Sequence, residues 1–187
     1  LRLPACLEDI DYVKPRGLDR SLIRHLGSCQ WVQAHQAVLV TGPTGVGKTY
    51  IACALGNAAC RHGHSTRYYR LARLLTELEM ARADGSYPQT LRKLARIQVL
   101  ILDEWGLAPL SPDQTRQLLE VIDDRVELSS TIVASQLPIA EWHGTMADPT
   151  AADAILDRLV HRAHKLVLKG ESMRKAPSST SDVPQSP

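Results

Sequence analysis

The sequence predicts a parallel α/β sheet flanked by helices. Three features predict it. Short apolar segments alternate along the chain with segments of helical period. One of them, Val99-Leu100-Ile101-Leu102, places four apolar residues in a row, as in a strand buried on both faces of a parallel sheet. Another, Ala37 to Thr41, is short, apolar and partly β-branched. It runs into a glycine-rich loop and then an Ala- and Leu-rich stretch, the strand, loop and helix of a βα unit.

The elements follow in order. Leu1-Arg2-Leu3 has the look of a helix end, and the chain begins without Met, so an N-terminal segment is expected to have been lost. Residues 1–16 read as a lead segment, with 5–16, which contain Pro15, forming a loop across the domain. Leu18, Leu22, Ile23 and Leu26 give residues 17–30 a helical period. Strand 38–41 precedes a helix over 50–61, stopped near Gly63. Residues 66–70 form a second strand. Leu71, Leu74, Leu75 and Leu78 share a face of a helix over 71–83. Asp84-Gly85-Ser86-Tyr87-Pro88 breaks it, and 89–96 is a short amphipathic helix. Strand 99–102 follows. Ser111 caps, and Pro112 starts, a helix running to about Leu128. Strand 131–135, a helix over 151–162 and a last strand over 164–168 complete a domain spanning 17–175. Residues 176–187 are rich in Ser, Thr and Pro, the composition of a disordered tail.

The loop reads Gly42-Pro43-Thr44-Gly45-Val46-Gly47-Lys48-Thr49, then Tyr50. This is G-x-x-x-x-G-K-T, the phosphate-binding P-loop. Its glycines let the backbone wrap phosphates, and its N–H groups converge at the positive end of a helix. Lys48 is expected to reach the β- and γ-phosphates, and Thr49 to offer its hydroxyl to Mg²⁺. Asp103 and Glu104 follow strand 99–102 directly, at the carboxyl end, where open α/β sheets place their ligands. A carboxylate such as Asp103 suits the shell of a hard cation. Glu104 suits a base that polarises the water attacking a γ-phosphate. The plainer alternative is an acidic turn ending a core strand. Together the motifs predict a P-loop nucleotide site that takes Mg²⁺ and hydrolyses its nucleotide; that the nucleotide is ATP is what the resemblance described below implies.

Composition narrows the class. The chain has 187 residues, 44% of them hydrophobic, enough for a single domain. A formal net charge of +2 does not by itself demand nucleic acid. No apolar run is long enough to span a membrane, and no signal peptide opens the chain. The cysteines, Cys6, Cys29, Cys53 and Cys60, form no C-x-x-C pair, which argues against disulfide or metal roles and for a reducing cytoplasm. Cys53 and Cys60 are expected to face the core from one helix. His62 and His64 flank a helix end, and His161 and His164 lie among basic residues, with surface or DNA-facing roles favoured over metal ligation. Trp31, Trp105 and Trp142 read as packing residues, and at least one of Tyr68 and Tyr69 as a core residue.

Beyond the two phosphate motifs, several stretches resemble one family. Leu7-Glu8-Asp9-Ile10-Asp11 before a helix, Val38 to Thr49, Val99 to Gly106, Thr131 to Pro138, and Gly170-Glu171-Ser172-Met173-Arg174-Lys175 look like the IstB-type helper ATPases of insertion sequences. That family is similar to the DnaC-type helicase loaders, both within the initiator clade of AAA+ ATPases. The resemblance covers nearly all of residues 5–175. It implies an AAA+ core with little or no C-terminal lid domain. Gln136 falls where the wider superfamily carries a polar sensor, often Asn; Gln keeps an amide able to hydrogen-bond. Ser135 is the neighbouring candidate. Arg158 matches the arginine finger that reaches the γ-phosphate of an adjacent subunit. By local sequence alone it is equally placed to pair with Asp153 or Asp157. Arg174 matches the second sensor arginine. A finger acting in trans implies a head-to-tail oligomer, ring or spiral.

The resemblance also implies partners, DNA and a cognate transposase, with no membrane role. Arg61, His62, His64, Arg67, Arg70 and Arg73, and separately Arg92, Lys93 and Arg96, are candidate phosphate contacts for sequence-tolerant, salt-sensitive DNA binding. The reading that follows is an ATP-dependent, DNA-binding helper of transposition that recruits or stimulates a transposase. Alternatives are a replicative helicase loader and a non-hydrolysing, ATP-dependent DNA-binding scaffold. The intact Asp103-Glu104 pair argues against the scaffold. A small-molecule kinase ranks below these, since the sequence shows no lid or phosphoacceptor signature.

Overall fold

The computed structural model describes residues 1–173; Arg174 and the expected tail lie outside the described residues. Five parallel strands form one sheet in the order β2-β3-β4-β1-β5. They are β1 (Val38–Thr41), β2 (Thr66–Arg70), β3 (Val99–Trp105), β4 (Ser130–Ser135) and β5 (His164–Val167). β1 lies between β4 and β5, with Val40 opposite Ala134 on one side and Leu166 on the other. β2 is one edge of the sheet, with Arg70 in register with Asp103 of β3.

Side chains alternate across a strand, so an unbroken apolar run serves two cores. Val38, Val40, Val99 and Ile101 enter one core with Ile51 and Leu55 of α3 (Lys48–Arg61) and Ile23 and Leu26 of α1 (Arg20–Gly27). Leu39, Leu100, Leu102 and Val133 enter the other. That core is completed by α4 (Leu71–Asp84), α5 (Tyr87–Ala95), α6 (Pro112–Asp123) and α7 (Pro149–Val160). Each buried Leu or Val contributes about 1.5–3 kcal/mol relative to exposure. The tryptophans pack as expected, with the Trp105 and Trp142 rings 5.1 Å apart.

Several boundaries differ from the sequence expectation. Residues 1–19 contain no helix, Leu1-Arg2-Leu3 among them. The helix expected over 17–30 is shorter: Asp19 caps α1 by accepting from Ser21 N at 2.8 Å, and the helix stops at Gly27. Ser28 Oγ bonds back to His25 O, Cys29 turns left-handed, and a single turn, α2 (Gln30–Gln33), follows. α5 starts at Tyr87, because Pro88 in its first turn needs no N–H partner. α6 begins as expected, with Ser111 and Gln114 forming a reciprocal capping box. It ends at Asp123 because Arg125 turns inward. Its buried guanidinium donates to the carbonyls of Leu94, Ile97 and Ser130, tying the α5–β3 connection to β4. Burial pulls that guanidinium down to about 10, still charged at neutral pH. Cys60, expected in the core beside Cys53, is exposed at the last turn of α3. Among the described residues no helix is long and apolar enough to cross a membrane.

Candidate active site

The loop between β1 and α3 passes close to the end of β5. A Cβ at Gly42 would stand 2.4 Å from the carbonyl oxygen of Leu168, so only glycine fits. Gly47, with φ +103°, caps α3 without a side-chain hydrogen bond. The first-turn N–H groups of α3 are therefore left for an anion. Lys48 Nζ donates to the carbonyls of Gly42 and Pro43, each at 2.7 Å, and so lies along the rim of the loop. Thr44 Oγ1 donates to Gln136 Oε1 at 2.8 Å, bringing the expected sensor position from the end of β4 onto the loop. Gly45 O accepts from Met173 N at 2.8 Å, Val46 is buried, and Tyr50 OH donates to Cys6 O at 3.3 Å.

Asp103 is 2% exposed, and both of its carboxylate oxygens accept hydrogen bonds. Its Oδ2 accepts from Thr49 Oγ1 at 2.8 Å and from Tyr68 OH at 2.7 Å, and its Oδ1 accepts from the backbone N–H of Glu104 at 2.8 Å. Glu104 has φ +63°, at a bulge where the β3–β4 register shifts between Leu102 and Trp105. A non-glycine residue held there costs about 1–3 kcal/mol and is typical of functional sites. The bulge turns Glu104 out of the sheet, where its Oε1 lies 3.3 Å from both Arg2 Nη1 and Arg70 Nε. Burial first, and then the bond to Asp103, push the Tyr68 hydroxyl up to about 12 against the opposing bond from Arg2, so it stays a protonated donor.

One cavity is lined by Thr44, Gly47, Lys48, Thr49, Asp103, Glu104 and Gln136. Thr49 and Asp103 supply hard oxygen donors, the chemistry that suits Mg²⁺. Among the described residues no cluster of three or more His, Cys, Asp or Glu side chains could hold a metal by itself. The donor set thus fits a cation that takes most of its ligands from phosphate and water.

Arg158 and Ser135 stand apart from this cavity. Arg158, on α7, pairs with Asp123 of α6 rather than with Asp153 or Asp157, and donates to Ala154 O at 2.9 Å. It lines a separate concavity with His35, Arg125 and Arg162. Arg174 lies outside the described residues. Ser135 is spent inside the sheet, donating to Trp105 O at 2.7 Å and accepting from Leu137 N at 3.1 Å.

Sequence reasoning missed Arg2, Arg16 and Tyr68 here and assigned Arg70 elsewhere. Arg70 had a signal: it ends a strand at the same carboxyl end of the sheet as Asp103. Arg16 is buried, donating to Val46 O at 3.0 Å and to Asp11 O, and it ties the lead segment to the P-loop. Nothing in its local sequence marks it. Of the basic candidates, Arg67, Arg70 and Arg73 line one shallow groove along β2, while Arg61 pairs with Glu8. Arg92, Lys93 and Arg96 are exposed on and just after α5, outside that groove.

Residues 1–181 match a family model described as IstB-like ATP binding protein. The chain is 50% identical over 175 residues to y4pL of Sinorhizobium fredii, described as an insertion sequence ATP-binding protein; the match covers 94% of this chain and 71% of that one. It is 37% identical over 175 residues to the IS21 ATP-binding protein of Pseudomonas aeruginosa, covering 92% of this chain and 66% of that one. Among solved structures, DnaI superposes with a TM-score of 0.74 at 20% identity, covering 88% of this chain and 91% of that chain. The DnaC helicase loader superposes with a TM-score of 0.72 at 22% identity, covering 88% and 97%. These two likenesses establish a shared fold.

Proposed function

This chain belongs to the IstB-like ATP binding proteins, and from that premise we propose that it is an ATP-hydrolysing, DNA-binding helper of transposition. In this reading it assembles on DNA and recruits or stimulates a transposase, releasing ADP and phosphate. The observation that carries the reading is the meeting of Thr49 and Asp103 at 2.8 Å beneath the P-loop, with Glu104 as the next residue. The insertion-sequence relatives support a transposition partner over a helicase partner.

The roles follow from position. The N–H groups at the start of α3 and the Lys48 ammonium hold the phosphates. Thr49 and Asp103 would hold Mg²⁺, which would supply positive charge to offset that of the phosphoryl oxygens. Glu104, once released from Arg2 and Arg70, accepts a proton from the attacking water. Gln136, already joined to Thr44, orients water or a γ-phosphoryl oxygen through its amide. Arg158 leaves Asp123 and enters the site of a neighbouring copy, where a guanidinium stabilises charge on the transferring phosphoryl group. Arg174 acts as the second sensor on its own nucleotide. Arg67 and Arg73, with Arg92, Lys93 and Arg96, grip DNA phosphates without reading sequence.

Light scattering with double-stranded DNA tests the assembly. The expected result is a rise in mass that requires both ATP and DNA and falls steeply with salt. A monomer indifferent to nucleotide and DNA would overturn the reading.

A further inference from the structure

We infer that Tyr68 is a positioning residue for Asp103, selecting which lone pair of Asp103 Oδ2 is offered to the metal. The inference rests on the assignment of Asp103 to the Mg²⁺ shell. It starts from the crowding around one oxygen. A carboxylate oxygen has about two lone-pair sites. Oδ2 of Asp103 accepts from Thr49 at 2.8 Å and from Tyr68 at 2.7 Å, so both are occupied. The two donors approach from different surroundings. Thr49 lines the P-loop cavity, and Tyr68 lines the groove along β2 outside it.

The direction of the Tyr68 bond is determined by its other neighbour. Arg2 Nη1 lies 3.2 Å from the Tyr68 oxygen, and a guanidinium can only donate. The single hydroxyl proton of Tyr68 is thereby directed to Asp103. The ring is held as well: it is half-buried against both Ala5, Cys53 and Ala54 and the main core on that face of the sheet. A rigid, two-torsion side chain with a fixed proton keeps its lone pair occupied. When Thr49 rotates its hydroxyl toward a cation, the lone pair uncovered is the one facing the cavity. Without Tyr68, and with Thr49 turned to the cation, Asp103 keeps the bond from Glu104 N to its Oδ1 and a long 3.9 Å ion pair from Arg2 to its Oδ2, which hold the direction of Oδ2 less tightly.

Tyr68→Phe removes one hydroxyl and keeps the ring. Outer-shell partners of metal ligands typically change metal affinity by about 10–100-fold, so a loss of about tenfold is expected. The test is Mn²⁺ binding to the ADP-loaded chain, read by electron paramagnetic resonance, beside ADP affinity measured in excess EDTA. Tyr68→Phe should weaken Mn²⁺ binding about tenfold while leaving metal-free ADP affinity unchanged. Tyr69→Phe, which loses a hydroxyl near Glu77 instead, should change neither. Asp103→Asn separates the levels of the argument. If it abolishes Mn²⁺ binding while Tyr68→Phe binds as tightly as wild type, the role of Tyr68 is overturned and that of Asp103 stands. If Asp103→Asn also leaves Mn²⁺ binding intact, the metal assignment fails and takes the inference with it.

Discussion

Thr49 and Asp103, 54 positions apart in the chain, meet at 2.8 Å, with Oγ1 of the first donating to Oδ2 of the second. Thr49 arrives on the first turn of α3 and Asp103 on β3. β1, which leads into the P-loop, and β3 do not pair; β4 lies between them. The contact therefore reports the geometry of the whole sheet and not of one motif. A glycine turn or an acidic strand end matching by chance would have no reason to converge.

Lys48→Ala should abolish measurable ATP binding. The ammonium sits on the loop rim, bonded to Gly42 O and Pro43 O, within reach of an incoming phosphate. Losing a charge-assisted contact of this kind, at about 1.5–3 kcal/mol per bond and with more than one bond made, corresponds to at least about a 100-fold loss. Fluorescent-nucleotide titration checks it, with circular dichroism expected to be unchanged. Retained tight binding would remove the P-loop assignment.

Arg158→Ala should separate binding from hydrolysis. In its own chain the residue makes a half-exposed ion pair with Asp123, so the stability change should stay below about 1 kcal/mol. Supplied in trans, an arginine finger is worth about 10³–10⁵ in rate. Turnover of the assembly should fall accordingly while ATP binding persists. Mixing with Lys48→Ala should restore part of the turnover, because that partner still brings an intact Arg158. Failure to complement would argue that Arg158 does not act across subunits.

Mild acid should loosen the β5 edge. His164 is half-buried, with Nε2 2.9 Å from Gln36 Oε1 and its ring 5.7 Å from that of His25. Burial first, and then His25, lower its pKa from the usual 6.5. The fold therefore favours the neutral ring. Its stabilising contribution is complete above the unfolded value of 6.5 and is lost as pH falls through the lower folded value. Melting temperature should decline as pH falls from 6.5 through that lower folded value, and less steeply in His164→Gln. Identical slopes would exclude His164 as the source.

The sheet, the P-loop and the acidic strand end were readable because each is a local pattern. Period, glycine spacing and an apolar run all act within a dozen residues. The family expected from the sequence is the one the comparisons find. Tyr68 and Arg2 were not readable as site residues, because what places them is the pairing of β2 with β3 and the path of the lead segment. Arg125 shows the same limit for boundaries. The helix pattern runs on toward Leu128, but three carbonyls from other elements hold the Arg125 guanidinium and end α6 early. Cys60 follows the helical period and still faces solvent, because Cys53 is covered by Ala5 of the lead segment, while at the last turn of α3 it is Ala58 and Ala59 that enter the core.

Phosphate release by Glu104→Gln beside wild type, with bound ATP quantified in the same samples, tests the hydrolytic assignment most directly. Gln has the same shape but cannot accept the proton from water. The expected result is ATP affinity within about threefold of wild type and turnover lower by roughly 10²–10⁴. A variant that turns over ATP at the wild-type rate would show that Glu104 is not the base.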